Sequence, residues 1–157
     1  MDRLRLQKFM GKRLAELPLV EPLLVSSATS VRDTVAQMAG QSYSCAIAQD
    51  DGRVAGIFTE RDVLTRCMAD NFDWAQPLSA GVLTREPRTV TPDHTVGDAI
   101  ALMRKFGYRT LPVVDGTRVA GLIRLQNLLT HLAEEFPDEV LNIPPRPHQV
   151  MGRREGG

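Results

Sequence analysis

Apolar residues recur along this chain with the spacing of a helix and then of short strands, and the same order of elements occurs twice. Helical spacing is found at Val31, Val35, Met38 and Ala39 and again at Val96, Ala99, Ile100 and Met103. Ser- and Thr-rich segments at 26–30 and 91–95 precede the two patterns, as is typical of a helix N-terminus. The pattern therefore predicts two related helices, one in each half of the chain.

Two short apolar runs follow each predicted helix. They lie at 45–48 and 54–58 in the first half and at 111–114 and 119–123 in the second. The residues between them, Asp50-Asp51-Gly52 and Asp115-Gly116-Thr117, are of the types that form tight turns. Each pair of runs therefore predicts a β-hairpin. A further helix, at about 60–69 and at about 125–135, closes each half.

An internal repeat explains why the pattern occurs twice. When the sequence is shifted by 65 residues, segment 21–65 aligns with 86–130 without a gap, and 15 of the 45 positions are identical. Ordinary composition gives only about 3 identities by chance. A single unit of this size has little apolar surface to bury, so we expect the two copies to pack together.

The repeat divides the chain into five segments. These are a basic N-terminal helix (1–17), a first unit (18–69), a linker (70–84), a second unit (85–136) and a partly disordered C-terminal extension (137–157). The predicted fold class is α/β (α+β). Each unit has a short leading strand followed by helix, strand, strand and helix, and the two units pack sheet to sheet with pseudo-two-fold symmetry.

Composition and charge narrow the classes of function. The 157 residues carry 19 Lys and Arg against 19 Asp and Glu, and 5% of them are aromatic. The segments 1–16 and 143–157 have net charges of +3 and +2, so the body between them is mildly acidic. Because a dedicated nucleic-acid binder carries a strong positive field, this balance argues against that class.

The sequence argues against a membrane span, a secretory signal and a metal or redox site. Apolar runs fall far short of the roughly 20 residues that a membrane-spanning helix needs, and no secretory signal is recognised. Cys45 and Cys67 have neither metal-binding nor redox spacing, and the histidines are scattered. We expect a cytoplasmic protein with free thiols, without a metal, a cofactor or a catalytic constellation.

Two motifs carry a resemblance to a known family. The sequence Gly-Ile-Phe-Thr-Glu-Arg-Asp ends the first hairpin at 56–62, and Tyr-Arg-Thr-Leu-Pro-Val-Val-Asp leads into the second at 108–115. With the repeat, they resemble the CBS-domain pair, or Bateman module, over roughly 18–135. The resemblance implies two clefts between the units, in which many members bind adenosine nucleotides and some bind S-adenosylmethionine. It also implies regulation of partners rather than catalysis.

The first cleft is predicted around Thr59, Arg61 and Asp62. An ionised Asp offers two acceptor oxygens that match the 2′- and 3′-hydroxyls of a ribose. The Thr hydroxyl and Arg61 are suited to a phosphate. The same Thr-x-x-Asp spacing is typical of a helix N-cap, and the two roles can coexist. The resemblance implies a base-facing wall from the other side of the cleft, formed by Val82, Leu83, Thr84 and Tyr108.

The second cleft departs from the motif. Arg124 and Asn127 stand where the first unit has Thr59 and Asp62. Because Asn lacks the charge, diol binding is expected to weaken by about 1–2 kcal/mol. The resemblance implies that this weaker cleft contains Tyr43, Arg109, Thr110, Arg124 and Asn127.

Three functions compete on this reading. The first is a sensor that binds AMP, ADP or ATP between the units, with S-adenosylmethionine as an alternative ligand, and signals to an unknown effector protein. The second is a ligand-free scaffold for interaction or dimerisation. The third, nucleic-acid binding through the basic N-terminal helix, conflicts with the neutral charge. A homodimer is expected, with the helices at 60–69 and 125–135 and the N-terminal helix as its contacts.

Overall fold

The computed structural model describes residues 2–140. Most of the predicted C-terminal extension (137–157), namely residues 141–157, lies outside the described residues. The helices are α1 (Arg3–Met10), α2 (Val31–Gln41), α3 (Glu60–Arg66), α4 (Val96–Phe106), α5 (Leu125–Glu135) and α6 (Pro137–Val140). The strands are β1 (Leu24–Val25), β2 (Cys45–Asp50), β3 (Arg53–Thr59), β4 (Thr84–Arg85), β5 (Thr110–Asp115) and β6 (Arg118–Arg124).

Local sequence explains where the repeated helices begin and end. Ser30 and Thr95 cap α2 and α4, since their hydroxyl oxygens accept hydrogen bonds from the backbone three residues on. Both helices end in a left-handed residue, at Ser42 and at Gly107. The predicted order of elements is therefore confirmed in both units, and the N-terminal helix spans Arg3–Met10 before a short 3-10 turn.

Each hairpin pairs, at one edge, with a short segment that leads into the other unit. In the first unit, the strand order is β1-β2-β3-β4, and β4 comes from the boundary between the linker and the second unit. In the second unit, β5 pairs with β6, whose Leu122 forms a bridge with Val20, from the start of the first unit. The two units therefore exchange their leading segments.

Glycines mark the two crossings. A Cβ at Gly56 would lie 2.5 Å from the Leu83 Cγ, and one at Gly121 would lie 2.7 Å from the Leu19 Cβ. Side chains do not approach so closely, so only glycine lets the exchanged segment lie against the hairpin. This contact explains why glycine occurs at both equivalent positions of the repeat.

Three apolar clusters hold the molecule together. The first unit's core takes Leu78, Val82 and Leu83 from the linker, and the second unit's core takes Phe9, Leu14 and Leu17 from the N-terminal segment. A smaller cluster between the hairpins contains Cys45, Ile47, Val119 and Leu122. The predicted packing of sheet on sheet is confirmed by this third cluster.

Candidate functional site

A cleft of about 1000 Å³ lies between the two units. Its walls come from the start of α3, the start of α5 and the loop between α4 and β5. The residues that line it are Ser44, Cys45, Ile57, Thr59, Glu60, Arg61, Asp62, Leu64, Thr65, Arg66, Thr84, Pro87, Arg88, Gly107, Tyr108, Arg109, Thr110, Pro112, Arg124, Leu125, Gln126 and Leu129. This volume is within the range of small-molecule sites.

Thr59 and Asp62 form a closed capping box at the start of α3. The Thr59 backbone N–H donates to Asp62 Oδ2 at 2.8 Å, and the Thr59 hydroxyl donates to the same oxygen at 2.9 Å. The Asp62 N–H in turn lies 3.3 Å from the Thr59 hydroxyl oxygen. The capping role considered from the sequence is thus present, and it fixes the carboxylate at the edge of the cleft.

Arg66 completes the surroundings of Asp62. Its Nε lies 3.5 Å from Asp62 Oδ1, and its Nη1 donates to the Val82 carbonyl at 2.9 Å. Asp62 is 6% exposed and is one of the two buried polar side chains of residues 2–138, the other being Thr34. A buried carboxylate needs such partners, because an isolated charge is costly away from water.

The second unit places an arginine at the corresponding position. Arg124 precedes α5, and its side chain does not cap that helix. Its Nη2 instead donates to the Ser44 hydroxyl of the first unit at 3.2 Å. Asn127, half-buried on α5, is not part of the cleft lining. The two ends of the cleft therefore differ in charge as well as in hydrogen bonding.

Tyr108 lines the cleft from the end of an aromatic stack. Its ring is stacked on that of Phe106, with centroids 5.7 Å apart and planes at 19°. The guanidinium of Arg88 lies over the same Phe106 ring, at 4.6 Å. Tyr108 also packs against the second unit's core, so its orientation is fixed by neighbours on one side.

Most of the predicted site residues meet in one continuous cleft. Those that line it are Thr59, Arg61, Asp62, Thr84, Tyr108, Arg109, Thr110 and Arg124. Tyr43 does not; it packs against the first unit's core. The predicted first cleft and the arginines of the predicted second cleft are thus brought together.

Val82 and Leu83 were expected in the base-facing wall, and the structure places them elsewhere. They are 3% and 7% exposed and belong to the first unit's core, where Leu83 covers Gly56. The next residue, Thr84, pairs with Ile57 and does line the cleft. Leu83 and Thr84 point to opposite faces, as successive side chains of an extended segment do. Val82 lies in the turn before β4 and packs inward with Leu83.

Sequence reasoning missed several polar lining residues, among them Ser44, Glu60, Arg66 and Arg88. Ser44 is the repeat equivalent of Arg109, and this correspondence was a usable signal. Arg88 replaces Leu23 of the first unit and carried no motif. Arg88 follows the exchanged segment β4, so its place in the cleft lining depends on the tertiary fold.

Burial raises the pKa of the Cys45 thiol at the floor of the cleft to about 11. The thiol is therefore protonated and inert near neutral pH. Within residues 2–140, no group of three or more His, Cys, Asp and Glu side chains is placed to hold a metal ion. None of the helices in that part of the chain has the length and apolar character needed to cross a bilayer.

A family model, described as the CBS domain, matches the chain twice, at residues 14–69 and 80–134. The chain belongs to the CBS-domain family. Both matches begin before the exchanged segments, so each CBS domain includes the segment that it gives to its neighbour. The tandem pair predicted from the repeat is confirmed.

Relatives of this CBS pair include much longer proteins. The meiotically up-regulated gene 70 protein of Schizosaccharomyces pombe is 32% identical over 120 residues, which are 76% of this chain and 16% of that protein. The chain therefore spans less than a fifth of that relative's length.

Solved structures share the fold at low identity. The CBS domain protein PAE2072 from Pyrobaculum aerophilum, complexed with AMP, has a TM-score of 0.68 and 22% identity, covering 78% of this chain and 99% of that one. The CBS domain pair of protein MJ0100, in complex with 5-methylthioadenosine and S-adenosyl-L-methionine, has a TM-score of 0.69 and 20% identity, covering 79% and 98%.

Proposed function

We propose that this CBS pair is a regulatory module that binds an adenosine nucleotide in the cleft between its units. The observation that carries the proposal is the meeting of Thr59 and Asp62 from the first unit with Tyr108 and Arg109 from the second in one cleft of about 1000 Å³. Proteins of the same fold, complexed with AMP or with S-adenosyl-L-methionine, support it as analogies.

Each side chain has a chemical task in the proposal. Asp62 Oδ1 faces a single partner, Arg66, at 3.5 Å, and so keeps acceptor capacity for a ribose hydroxyl. The Tyr108 ring, which lines the cleft and is stacked on Phe106, would stack on a base. Arg61 supplies positive charge beside the start of α3. Binding would draw the two units together, and a partner would read the change as a shift between two arrangements.

Isothermal titration calorimetry with AMP, ADP, ATP and S-adenosylmethionine tests the proposal. Asp62→Ala is expected to weaken binding by tenfold or more, as loss of a charged hydrogen bond implies. Asp98→Ala is the matched control, because Thr95 and Asp98 form the same capping box on α4, outside the cleft. Equal loss in both variants would mean that only helix capping matters. Silence across the panel from folded, ligand-free protein would refute nucleotide sensing.

A ligand-free scaffold is the second candidate. It is favoured by Asp62, whose carboxylate already has partners within its own unit. It is also favoured by three large apolar side chains exposed on or beside α3 and α5, namely Leu64, Met68 and Leu129. We propose that these residues pair two copies of the chain. A homodimer is compatible with either function, so the oligomeric state does not distinguish the two candidates. The calorimetric titration with nucleotides does.

A further inference from the structure

The arginines of the cleft greatly outnumber its acidic partners. Arg61, Arg66, Arg88, Arg109 and Arg124 line it, against Glu60 and Asp62. Arg66 is paired with Asp62. Among the side chains of residues 2–138, the other four arginines have no carboxylate oxygen within 4.0 Å. The cleft therefore holds an excess of positive charge in a protein whose net charge is zero.

This excess belongs to one wall. Arg88, Arg109 and Arg124 all come from the second unit, where their repeat equivalents in the first unit are Leu23, Ser44 and Thr59. The lining residues of the first unit include two acids and two arginines, so that wall is balanced. The pseudo-symmetry of the fold is thus broken in charge, with a neutral wall facing a cationic one.

The guanidinium of Arg124 contacts the first unit. Its Nη2 lies 3.2 Å from the Ser44 hydroxyl, and the Ser44 carbonyl accepts from the Glu60 N–H at 3.1 Å. Its guanidinium is therefore close to the start of α3, where Thr59 and Asp62 lie. Arg88 is held at the rim by its contact with the Phe106 ring.

Building on the proposed function, we infer that the ligand is an adenosine di- or triphosphate that lies across the pseudo-two-fold axis, one molecule per chain. Its ribose is at Asp62, and its phosphates extend toward Arg88, Arg109 and Arg124. A monophosphate carries a charge of about −1.5 to −2 and leaves part of the cationic wall without a counter-charge. The sulfonium of S-adenosylmethionine adds positive charge to it. Bidentate guanidinium–phosphate contacts supply both strength and direction.

Titrations with AMP, ADP, ATP and inorganic tripolyphosphate in metal-free buffer test this inference. ATP is expected to bind about tenfold or more tightly than AMP, with one site per chain and an affinity that falls as salt rises. Arg109→Gln and Arg124→Gln should each weaken ATP binding more than AMP binding and so reduce this preference. Arg118→Gln, an equal change of charge outside the cleft, is the control and should preserve it.

Different failures have different meanings. Equal affinity for AMP and ATP, two sites per chain, tripolyphosphate binding as tightly as ATP, or an unchanged preference in Arg109→Gln would overturn this inference and leave nucleotide binding intact. Absence of binding by every nucleotide would overturn the proposed function together with it. Arg109 is exposed, so its replacement leaves the fold in place and keeps the test decisive.

Discussion

At the scale of single residues, the structure separates what a motif does for its own helix from what it offers to a ligand. Asp62 closes the cap of α3 and pairs with Arg66, yet it lies in the lining of the cleft between the units. Asp98 makes the same capping contacts with Thr95 outside the cleft. The difference between the two aspartates is therefore one of location, which comes from the tertiary fold.

The two cysteines permit a prediction at this scale. Burial raises the pKa of both thiols, that of Cys45 to about 11. At pH 8, the native protein should react with a thiol-specific disulfide reagent at least about 100-fold more slowly than the urea-unfolded chain, because few thiolates are present and access is blocked. Spectrophotometric thiol titration measures both rates. Rapid native labelling of either cysteine would contradict the burial described above.

The same pKa shift gives a direction for stability against pH. The folded state favours the protonated Cys45 thiol, so its contribution is fully present below the ordinary pKa of 9.0 and is lost as pH rises toward about 11. Cys45→Ser removes that alkaline dependence, and denaturation at pH 8 and pH 10.5 measures the difference.

The sequence predicted local features of the site well and its orientation less well. Thr59 and Asp62 are three residues apart at a strand-to-helix junction, and such a motif forms its contacts within one turn. Val82 and Leu83 were misplaced because their side-chain direction depends on the pairing of Thr84 with Ile57, a contact 27 residues away along the chain. Arg88 was missed because its place in the cleft lining likewise depends on contacts between distant parts of the chain.

At the scale of elements, the exchanged segments depend on close contact with the hairpins. Gly56→Ala would place a Cβ 2.5 Å from both the Leu83 Cγ and the Thr84 carbonyl oxygen. We expect a loss of about 1–3 kcal/mol in the free energy of unfolding, as in other overpacked sites. Gly40→Ala in the exposed C-terminal part of α2 is the control, since nothing lies within 4 Å of its Cβ. That variant should gain up to about 1 kcal/mol.

Chemical denaturation of both glycine variants measures these changes. A Gly56→Ala protein as stable as the parent would mean that β4 can move away from β3 without loss. The opposite signs expected for the two substitutions make the result independent of any general effect of alanine.

The repeat detected in the sequence is shorter than the repeat in the structure. Residues 14–16 and 78–80 form equivalent 3-10 turns before the exchanged segments, and Leu19 and Leu83 cover the equivalent glycines Gly121 and Gly56. In this register Leu14 corresponds to Leu78 and Leu19 to Leu83, a shift of 64 residues instead of the 65 that relates the rest of the repeat. The change of register by one residue hides these identities from an alignment without gaps, so the repeat detected in the sequence begins only at residue 21.

At the scale of the whole molecule, pseudo-symmetry is retained in two exposed leucines and broken in the charges of the cleft. Leu64 and Leu129 are identical repeat positions on α3 and α5, 70% and 56% exposed, and both also contribute to the cleft lining. If two copies pair through these helices, Leu64→Glu or Leu129→Glu should convert a dimer to a monomer, because a charge would be buried at the interface. Light scattering after size exclusion measures the mass.

Leu4→Glu is the control for that experiment, since Leu4 is 72% exposed on α1 and belongs to neither α3 nor α5. It should leave the mass unchanged. A parent protein that is monomeric at high concentration would contradict the proposed pairing.

The exchange of segments has a consequence for shorter chains. A half-length chain, made of one unit and the segment that precedes it, would carry a loose arm and an unfilled hairpin edge at the same time. Two such chains could each insert the arm into the other, as the halves of this protein do through Val20 and through Thr84. The covalent connection between the units then acts as a tether that sets the local concentration of the arms. Fusion of two copies would have converted this exchange of arms from an intermolecular contact into an intramolecular one.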